Sequence, residues 1–394
     1  MIPLDKIVKE KGACSLPWIL AEIQLHNDLV GVCCKYEGNL GSLKETEFPV
    51  TWFNQNFKDL RSQMINGDTI DKCKACHISD DVFSYKDKKN TDYENLLTKV
   101  DAENPTLPKI FHIGLKNICN LACRMCGPNQ SSKLNQVISK SPNLKKYYAE
   151  FVSDNSIDPK TLAGSFSETR HVLFVGGEPM MDNDCLEILK LIKDEATKLE
   201  EIVFITNLTR LNHEILDIVS SMNTSVILAV SIDGPPKLQE YIRYLSKWDQ
   251  IYKNMQYIRK HYPEIKFGFN STISIMNVGY VSDTLKFLHS LEVALQTKFK
   301  FCNPSIVHDK KFLFPGNIPD NVKDMYLEKL SNYRGRLTIP GSDDLLKSAI
   351  GLLKEQPKEE FQMFIDFISE FDKVAGTDYK QIYPEFGALT KNRT

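Results

Sequence analysis

Lys109-Ile110-Phe111-His112-Ile113-Gly114-Leu115-Lys116-Asn117-Ile118-Cys119-Asn120-Leu121-Ala122-Cys123-Arg124-Met125-Cys126 is the stretch on which the fold turns. Ile110–Leu115 reads as a short strand, nearly continuous in apolar residues, as expected of a strand buried on both faces. Directly after it come three cysteines at the spacing C-x3-C-x2-C. Three thiolates on one loop suit three irons of a [4Fe–4S] cube and leave the fourth iron without a protein ligand. An open iron can bind a small molecule through that molecule's chelating nitrogen and oxygen atoms, in the sense in which an open position makes a zinc site catalytic. The alternatives are a zinc knuckle borrowing a fourth ligand such as His112 or His77, and buried inert cysteines.

Outward from this stretch the chain alternates strand-like and helix-like segments. Val172–Val175, Glu201–Thr206, Ser225–Ile232, Ile265–Ile275 and Lys298–Cys302 read as further strands. Leu186, Leu189, Ile192, Ala196 and Leu199 recur at helical spacing, with Asp182 as N-cap, and Ile215, Ile218, Val219 and Met222 form a second stripe. Apolar strands alternating with amphipathic helices indicate βαβ units and a parallel sheet. The pattern fits a partial barrel or an open doubly wound sheet. In both, chemistry belongs at the C-terminal ends of the strands. Past the second strand of the series stands Val175-Gly176-Gly177-Glu178-Pro179. Its glycines allow a ligand close to the backbone, and the Glu178 carboxylate can accept from an ammonium group. Alone it also reads as an ordinary tight βα turn.

Taken together, the two motifs resemble the radical SAM superfamily, over roughly residues 109–305. The resemblance implies an α/β fold, the partial (β/α)6 barrel. It implies S-adenosylmethionine chelated to the open iron, and reductive cleavage to methionine and a 5′-deoxyadenosyl radical that abstracts a substrate hydrogen. Cys119, Cys123 and Cys126 match the cluster ligands. Gly176, Gly177, Glu178 and Pro179 match the segment that binds the methionine amino group. Met125 stands where the family usually has an aromatic residue. Thr206-Asn207 matches the start of Thr-Asn-Gly, with Leu208 in place of the glycine. Ser231-Ile232-Asp233-Gly234 looks like the Ser-x-Asp-Gly segment of peptide-modifying members, with Ser231 on the ribose or carboxylate. Arg243 resembles the arginine that pairs with the methionine carboxylate. A turn residue for Asp233 and a surface helix charge for Arg243 are the plainer readings.

Eight of the ten cysteines lie in the first third of the chain. Besides the central three, Cys14, Cys33-Cys34, Cys73 and Cys76 form an N-terminal set, and the C-x2-C pair favours one shared metal ion or cluster. Neighbours in an extended segment point in opposite directions, so one of Cys33 and Cys34 is expected to ligate, and Cys33 is the choice. Cys-x-x-Pro-Trp, Cys-Cys after a turn, and Gly-x5-Cys-x2-Cys resemble the SPASM or twitch extension. This implies one auxiliary [4Fe–4S] cluster on Cys14, Cys33, Cys73 and Cys76, although that extension usually follows the barrel. A structural zinc ion is the alternative. Cys185 and Cys302 read as packing residues.

The expected organisation is a Cys-rich module over residues 1–85, a linker over 86–108, the barrel over 109–305 and a helical extension over 306–394. Leu345–Leu353 and Phe361–Phe371 carry apolar faces in the last of these. A net charge of −2 excludes a bulk electrostatic grip on nucleic acid. No apolar run approaches a membrane span and no signal peptide is read at the start, so a cytoplasmic location is expected. The leading reading is a radical enzyme acting on a peptide or protein, supplied with electrons by a reductant such as flavodoxin or ferredoxin. The alternatives are the same chemistry on a nucleotide, sugar or other small metabolite, and a non-catalytic iron–sulfur or zinc module. No catalytic acid or base is assigned.

Overall fold

A computed structural model describes residues 3–76, 85–97, 100–151, 157–307, 310–335, 337–357 and 361–391. Among these residues the strands are β1 (Leu20–Gln24), β2 (Leu29–Gly31), β3 (Ile110–Gly114), β4 (Ala122–Cys123), β5 (His171–Val175), β6 (Glu201–Thr206), β7 (Ser225–Ser231), β8 (Arg243–Tyr244), β9 (Lys266–Ile273) and β10 (Cys302–Ile306). The chain forms two compact units. Unit 1 holds residues 1–116, 153–204 and 213–226, and unit 2 holds 117–152, 205–212 and 227–394.

In unit 1 the parallel ladder runs β1, β3, β5, β6, with Leu20 opposite Ile110, Ile110 opposite His171, and His171 opposite Glu201. β2 adds antiparallel to β1, with Glu22 opposite Gly31. The rings of Phe174 and Phe204 stack at 5.1 Å, and Phe111 packs between Phe48 and Phe166. The helix Asn183–Glu195 follows β5 and is capped by Asp182, whose side chain accepts from the Asp184 amide, as its sequence pattern predicts. In unit 2, β7 pairs parallel with β9 and β9 with β10, while β4 and β8 form a short antiparallel ribbon. Six of the seven residues of β7 are buried, the mark of a strand covered on both faces. The mostly parallel sheet strands with intervening helices are the α/β class expected, consistent with a partial barrel.

Three features depart from the sequence reading. β1 and β2 come from the Cys-rich N-terminal stretch and lie in the same unit as β3. Glu22 breaks the apolar pattern of β1, which conceals it; the side chain is buried 3.3 Å from His112 Nδ1. The stretch read as a linker carries the helices Tyr85–Asp92 and Glu94–Leu97, and Leu96, Leu97, Val100 and Ala102 are buried. The last strand begins at Cys302, where it was expected to end. Asn303-Pro304-Ser305 reads as a turn, but an edge strand tolerates proline, and Phe269 and Phe267 already bond Phe301 and Lys300 ahead of it. Four helices, Asp320–Ser331, Ser342–Lys354, Phe361–Ala375 and Pro384–Lys391, build the C-terminal part of unit 2. No helix among the described residues is long and apolar enough to cross a membrane.

Candidate active site

The cysteine loop of unit 2 is bound at several points. Ser131 caps the helix Ser132–Ile138 by accepting from the Leu134 amide at 3.0 Å, and its hydroxyl donates to Leu121 O at 2.6 Å. The Ser132 hydroxyl lies 3.3 Å from both the amide and the carbonyl of Cys119. β4 sets Cys123 directly opposite Arg243 of β8, and the Arg124 amide donates to Ile242 O at 2.9 Å. Buried Lys310 donates through Nζ to Met125 O at 3.1 Å and Cys126 O at 2.8 Å. Arg124 is fully buried. It donates to Asp372 Oδ1 at 2.6 Å, to Thr377 Oγ1 at 2.8 Å and to Tyr241 O, and lies 3.8 Å over the Tyr241 ring. Asp372 also accepts from the Tyr241 hydroxyl at 3.1 Å and from the Tyr379 amide at 2.6 Å. The helix Phe361–Ala375 thereby grips the cysteine loop through charges. Arg124, Asp372 and Lys310 were not among the predicted site residues. Only Arg124 had a signal, its place inside the motif.

Cys123 is buried, and Cys119 and Cys126 are half-buried. Burial pushes the Cys123 thiol up; Arg243 opposes this, and the Cys126 and Cys119 thiolates add to it. Arg243 stands with one terminal nitrogen 4.0 Å from Cys123 Sγ and its Nε 2.7 Å from Asp233 Oδ2. Burial works to lower the Arg243 pKa, but Asp233 and Cys123 outweigh it and raise it. Asp233 is fully buried, and its Oδ1 accepts from the Thr272 amide at 2.7 Å. Two residues assigned to the cofactor by resemblance, Asp233 and Arg243, therefore meet one another, beside a cysteine. Gln239 bridges the Asp233 amide and Ser231 O, at 2.7 and 2.8 Å. Asn207 donates to Cys119 Sγ at 3.8 Å and to Asn120 Oδ1 at 3.2 Å.

Leu208, standing where the family pattern has glycine, has φ 52° and is fully buried. A left-handed conformation costs a leucine about 1–2 kcal/mol. Removing a buried leucine side chain costs about 2–5 kcal/mol. The larger loss wins, so Leu208→Gly is expected to destabilise the protein by about 2 kcal/mol, read by chemical denaturation.

In unit 1, Gly176 has φ 114°, and a Cβ there would lie 2.8 Å from Leu115 N and 2.9 Å from Leu115 O. Only glycine fits this approach. The Gly177 amide donates to Lys116 O at 3.2 Å. Glu178 is fully buried and caps a short turn over Pro179–Met181 by accepting from the Met180 amide at 3.2 Å. Burial raises the Asp182 pKa to about 6, against the pull of the Asp184 amide and of Lys116.

The N-terminal cysteines also lie in unit 1. Cys14, Cys33, Cys73 and Cys76 line one cavity of about 230 Å³, with Tyr36, Lys35 and Met64 among its other walls. Cys34 is exposed and Cys33 is buried. Asn90, from the expected linker, holds the main chain on either side of Cys14: it donates to Ala13 O at 2.9 Å and accepts from the Ser15 amide at 2.9 Å. Burial raises the Cys33 pKa, and the charges of Cys14, Cys34 and Cys76 raise it further. The Cys73 thiol is pushed up to about 11 by burial and by Cys76. The thiolate is the ligand form, so a cationic centre bound in this cavity would displace the thiol protons. Among the described residues no three His, Cys, Asp or Glu side chains stand at the spacing of a single metal ion. His77 lies outside the described residues. Cys185 and Cys302 are buried in the core, and burial pushes the Cys302 thiol up to about 12.

Residues 113–288 match the model of the Radical SAM superfamily. No curated protein matches the sequence. Among solved structures, the chain is similar to SuiB of Streptococcus suis bound to S-adenosylmethionine, at 13% identity over 65% of this chain and 52% of that one, TM-score 0.36. It is similar to anSMEcpe with bound AdoMet, at 15% identity over 57% of each chain, TM-score 0.39. The coproporphyrinogen III oxidase HemN of Escherichia coli matches at 12% identity over 68% of this chain and 53% of that one, TM-score 0.32. The chain thus spans between half and three fifths of these proteins' length. The part of the chain that is similar to this family, residues 113–288, is a little under half of its length.

Proposed function

We propose that this protein is an enzyme that cleaves S-adenosylmethionine reductively at a [4Fe–4S] cluster and abstracts hydrogen from a peptide or protein. The observation that carries the reading is the loop Cys119–Cys126, three thiols on a main chain bound at one end by Ser132 and at the other by buried Lys310, within the residues that match the Radical SAM superfamily. Cys119, Cys123 and Cys126 hold the cluster in this reading. When bound, the cluster supplies the electron that breaks the sulfonium bond, and the cofactor carries the hard chemistry. The chain's part is positioning. Glu178 accepts from the methionine ammonium, with Gly176 and Gly177 admitting it close to the backbone and Pro179 closing the turn. Ser231 serves the ribose or the carboxylate, and Asn207 is a further cofactor-binding residue. Arg243, engaged with Asp233 beside Cys123, supplies positive charge next to a cluster thiolate. The cavity of Cys14, Cys33, Cys73 and Cys76 takes an auxiliary [4Fe–4S] cluster, with zinc as the competing occupant. The peptide class rests on the Ser231–Gly234 segment and the second cysteine set. A flavodoxin- or ferredoxin-type reductant in the cytoplasm completes the proposal.

The test is anaerobic reconstitution, with iron and zinc counted, followed by reduction and incubation with S-adenosylmethionine. About eight irons per chain and release of 5′-deoxyadenosine are expected, four irons per cube. About four irons and one zinc would keep the enzyme and make the N-terminal site structural. Zinc at both sites without iron would overturn the reading. Stimulation by added peptides, and not by nucleotides or sugars, tests the substrate class. Glu178→Gln should leave iron content intact and weaken S-adenosylmethionine binding about 10- to 100-fold, the loss of one charged hydrogen bond. The amide retains an oxygen for Met180 N, so the turn survives. Equilibrium binding to the reconstituted protein reads the effect.

A further inference from the structure

Tyr148 belongs to unit 2 and packs against the C-terminal end of the cysteine loop. Its ring lies 6.1 Å from that of Phe367 at 62°, and Lys310 Nζ stands 5.1 Å over it. The same ammonium donates to Met125 O and Cys126 O, so the ring is held beside the last cysteine of the loop. Tyr148 is 9% exposed, and its hydroxyl is buried without a hydrogen-bond partner. Leaving such a hydroxyl unpaired costs about 1–3 kcal/mol, and native proteins rarely do so unless a further group satisfies it. Cys126, whose main chain the same ammonium holds, brings its sulfur to this end of the loop.

We propose that Tyr148 is a tuning and positioning residue, whose hydroxyl donates to sulfur at the Cys126 corner of the bound cluster. This rests on the reading of Cys119, Cys123 and Cys126 as cluster ligands. Hydrogen bonds to cluster sulfurs are among the terms that set its potential. A donor withdraws electron density and stabilises the reduced state, so the bond raises the potential. Lys310 and Phe367 fix the ring, and the C-terminal helix Phe361–Ala375 thereby reaches the cluster through one phenol.

The test is Tyr148→Phe in the full chain, reconstituted anaerobically and titrated under electron paramagnetic resonance. The signal to follow is the one absent from the variant with Cys119, Cys123 and Cys126 replaced by alanine. Iron content should match the wild type, and the midpoint should shift to a more negative potential. The iron-free variant should melt at or above the iron-free wild type, because the change deletes an unpaired buried hydroxyl and keeps the ring. An unchanged midpoint overturns the inference. A lower melting temperature without iron, together with an unchanged midpoint, assigns the hydroxyl to packing and overturns it too. Wild type without iron at the three cysteines overturns the cluster reading itself, and is seen before any Tyr148 variant is made.

Discussion

Replacing Cys119, Cys123 and Cys126 together by alanine is expected to remove about four irons per chain. All formation of 5′-deoxyadenosine should vanish with them, while the fold persists. The three thiols are the whole protein ligand set of the proposed catalytic cluster, so nothing else in the loop can retain it. The fold has other supports there. The Ser132 bonds to Cys119 and the Lys310 bonds to Met125 and Cys126 all go to main-chain atoms, which alanine keeps. Arg243 keeps Asp233 at 2.7 Å when the Cys123 sulfur is gone. Each truncation should cost no more than about 1 kcal/mol. Iron analysis, product assay and thermal melting of the iron-free chain check the prediction together. Unchanged iron would sink the assignment of this loop.

Arg124→Met is expected to destabilise the protein by about 3–5 kcal/mol. The substitution leaves the Asp372 carboxylate buried without its counter-charge, and that uncompensated charge is the cost. The Tyr241 and Thr377 hydroxyls and the Tyr379 amide still face Asp372, so the loss is partial desolvation and not complete isolation. Asp372→Leu should cost a similar amount by stranding the guanidinium, whose stacking on Tyr241 and Phe371 offsets little of it. The double variant should recover much of the loss, since an apolar pair of like volume often replaces a buried ion pair at little net cost. Denaturant unfolding of the four proteins gives the coupling energy. Iron loading should follow the same order, because the pair ties the cysteine loop to the helix Phe361–Ala375. If the single variants prove as stable as wild type, the helix does not hold the loop.

The distinction between local and distant information explains what was legible. Glu201–Thr206 matches its expected strand residue for residue, and Asp182 caps its helix, because apolar periodicity and capping are written within a few residues. The left-handed backbone at Leu208 is a conformation that glycine adopts without strain, so the place of Leu208 at the glycine of the pattern is legible only once its φ is known. β1 was not legible, because a buried glutamate in its centre is explained only by His112 on the neighbouring strand. The ligand-like residues Asp233 and Arg243 were assigned outward, to a cofactor, and the folded chain turns them toward each other.

By itself the sequence determined the α/β class, the C-x3-C-x2-C loop after a strand, the glycine turn at Gly176 and the N-terminal set of cysteines. Each depends on residue type and short spacing, and short-range sterics and ligand chemistry suffice to read them. Only the tertiary structure decided that Cys14, Cys33, Cys73 and Cys76 share one cavity and that Cys34 does not line it. It alone decided that Arg124, Lys310, Tyr148 and Asp372 surround the cysteine loop. Arg124 and Asp372 lie 248 positions apart. Their pairing comes from the burial of two opposite charges at one point of a packed core, and no pattern along the chain records which distant residue will arrive there.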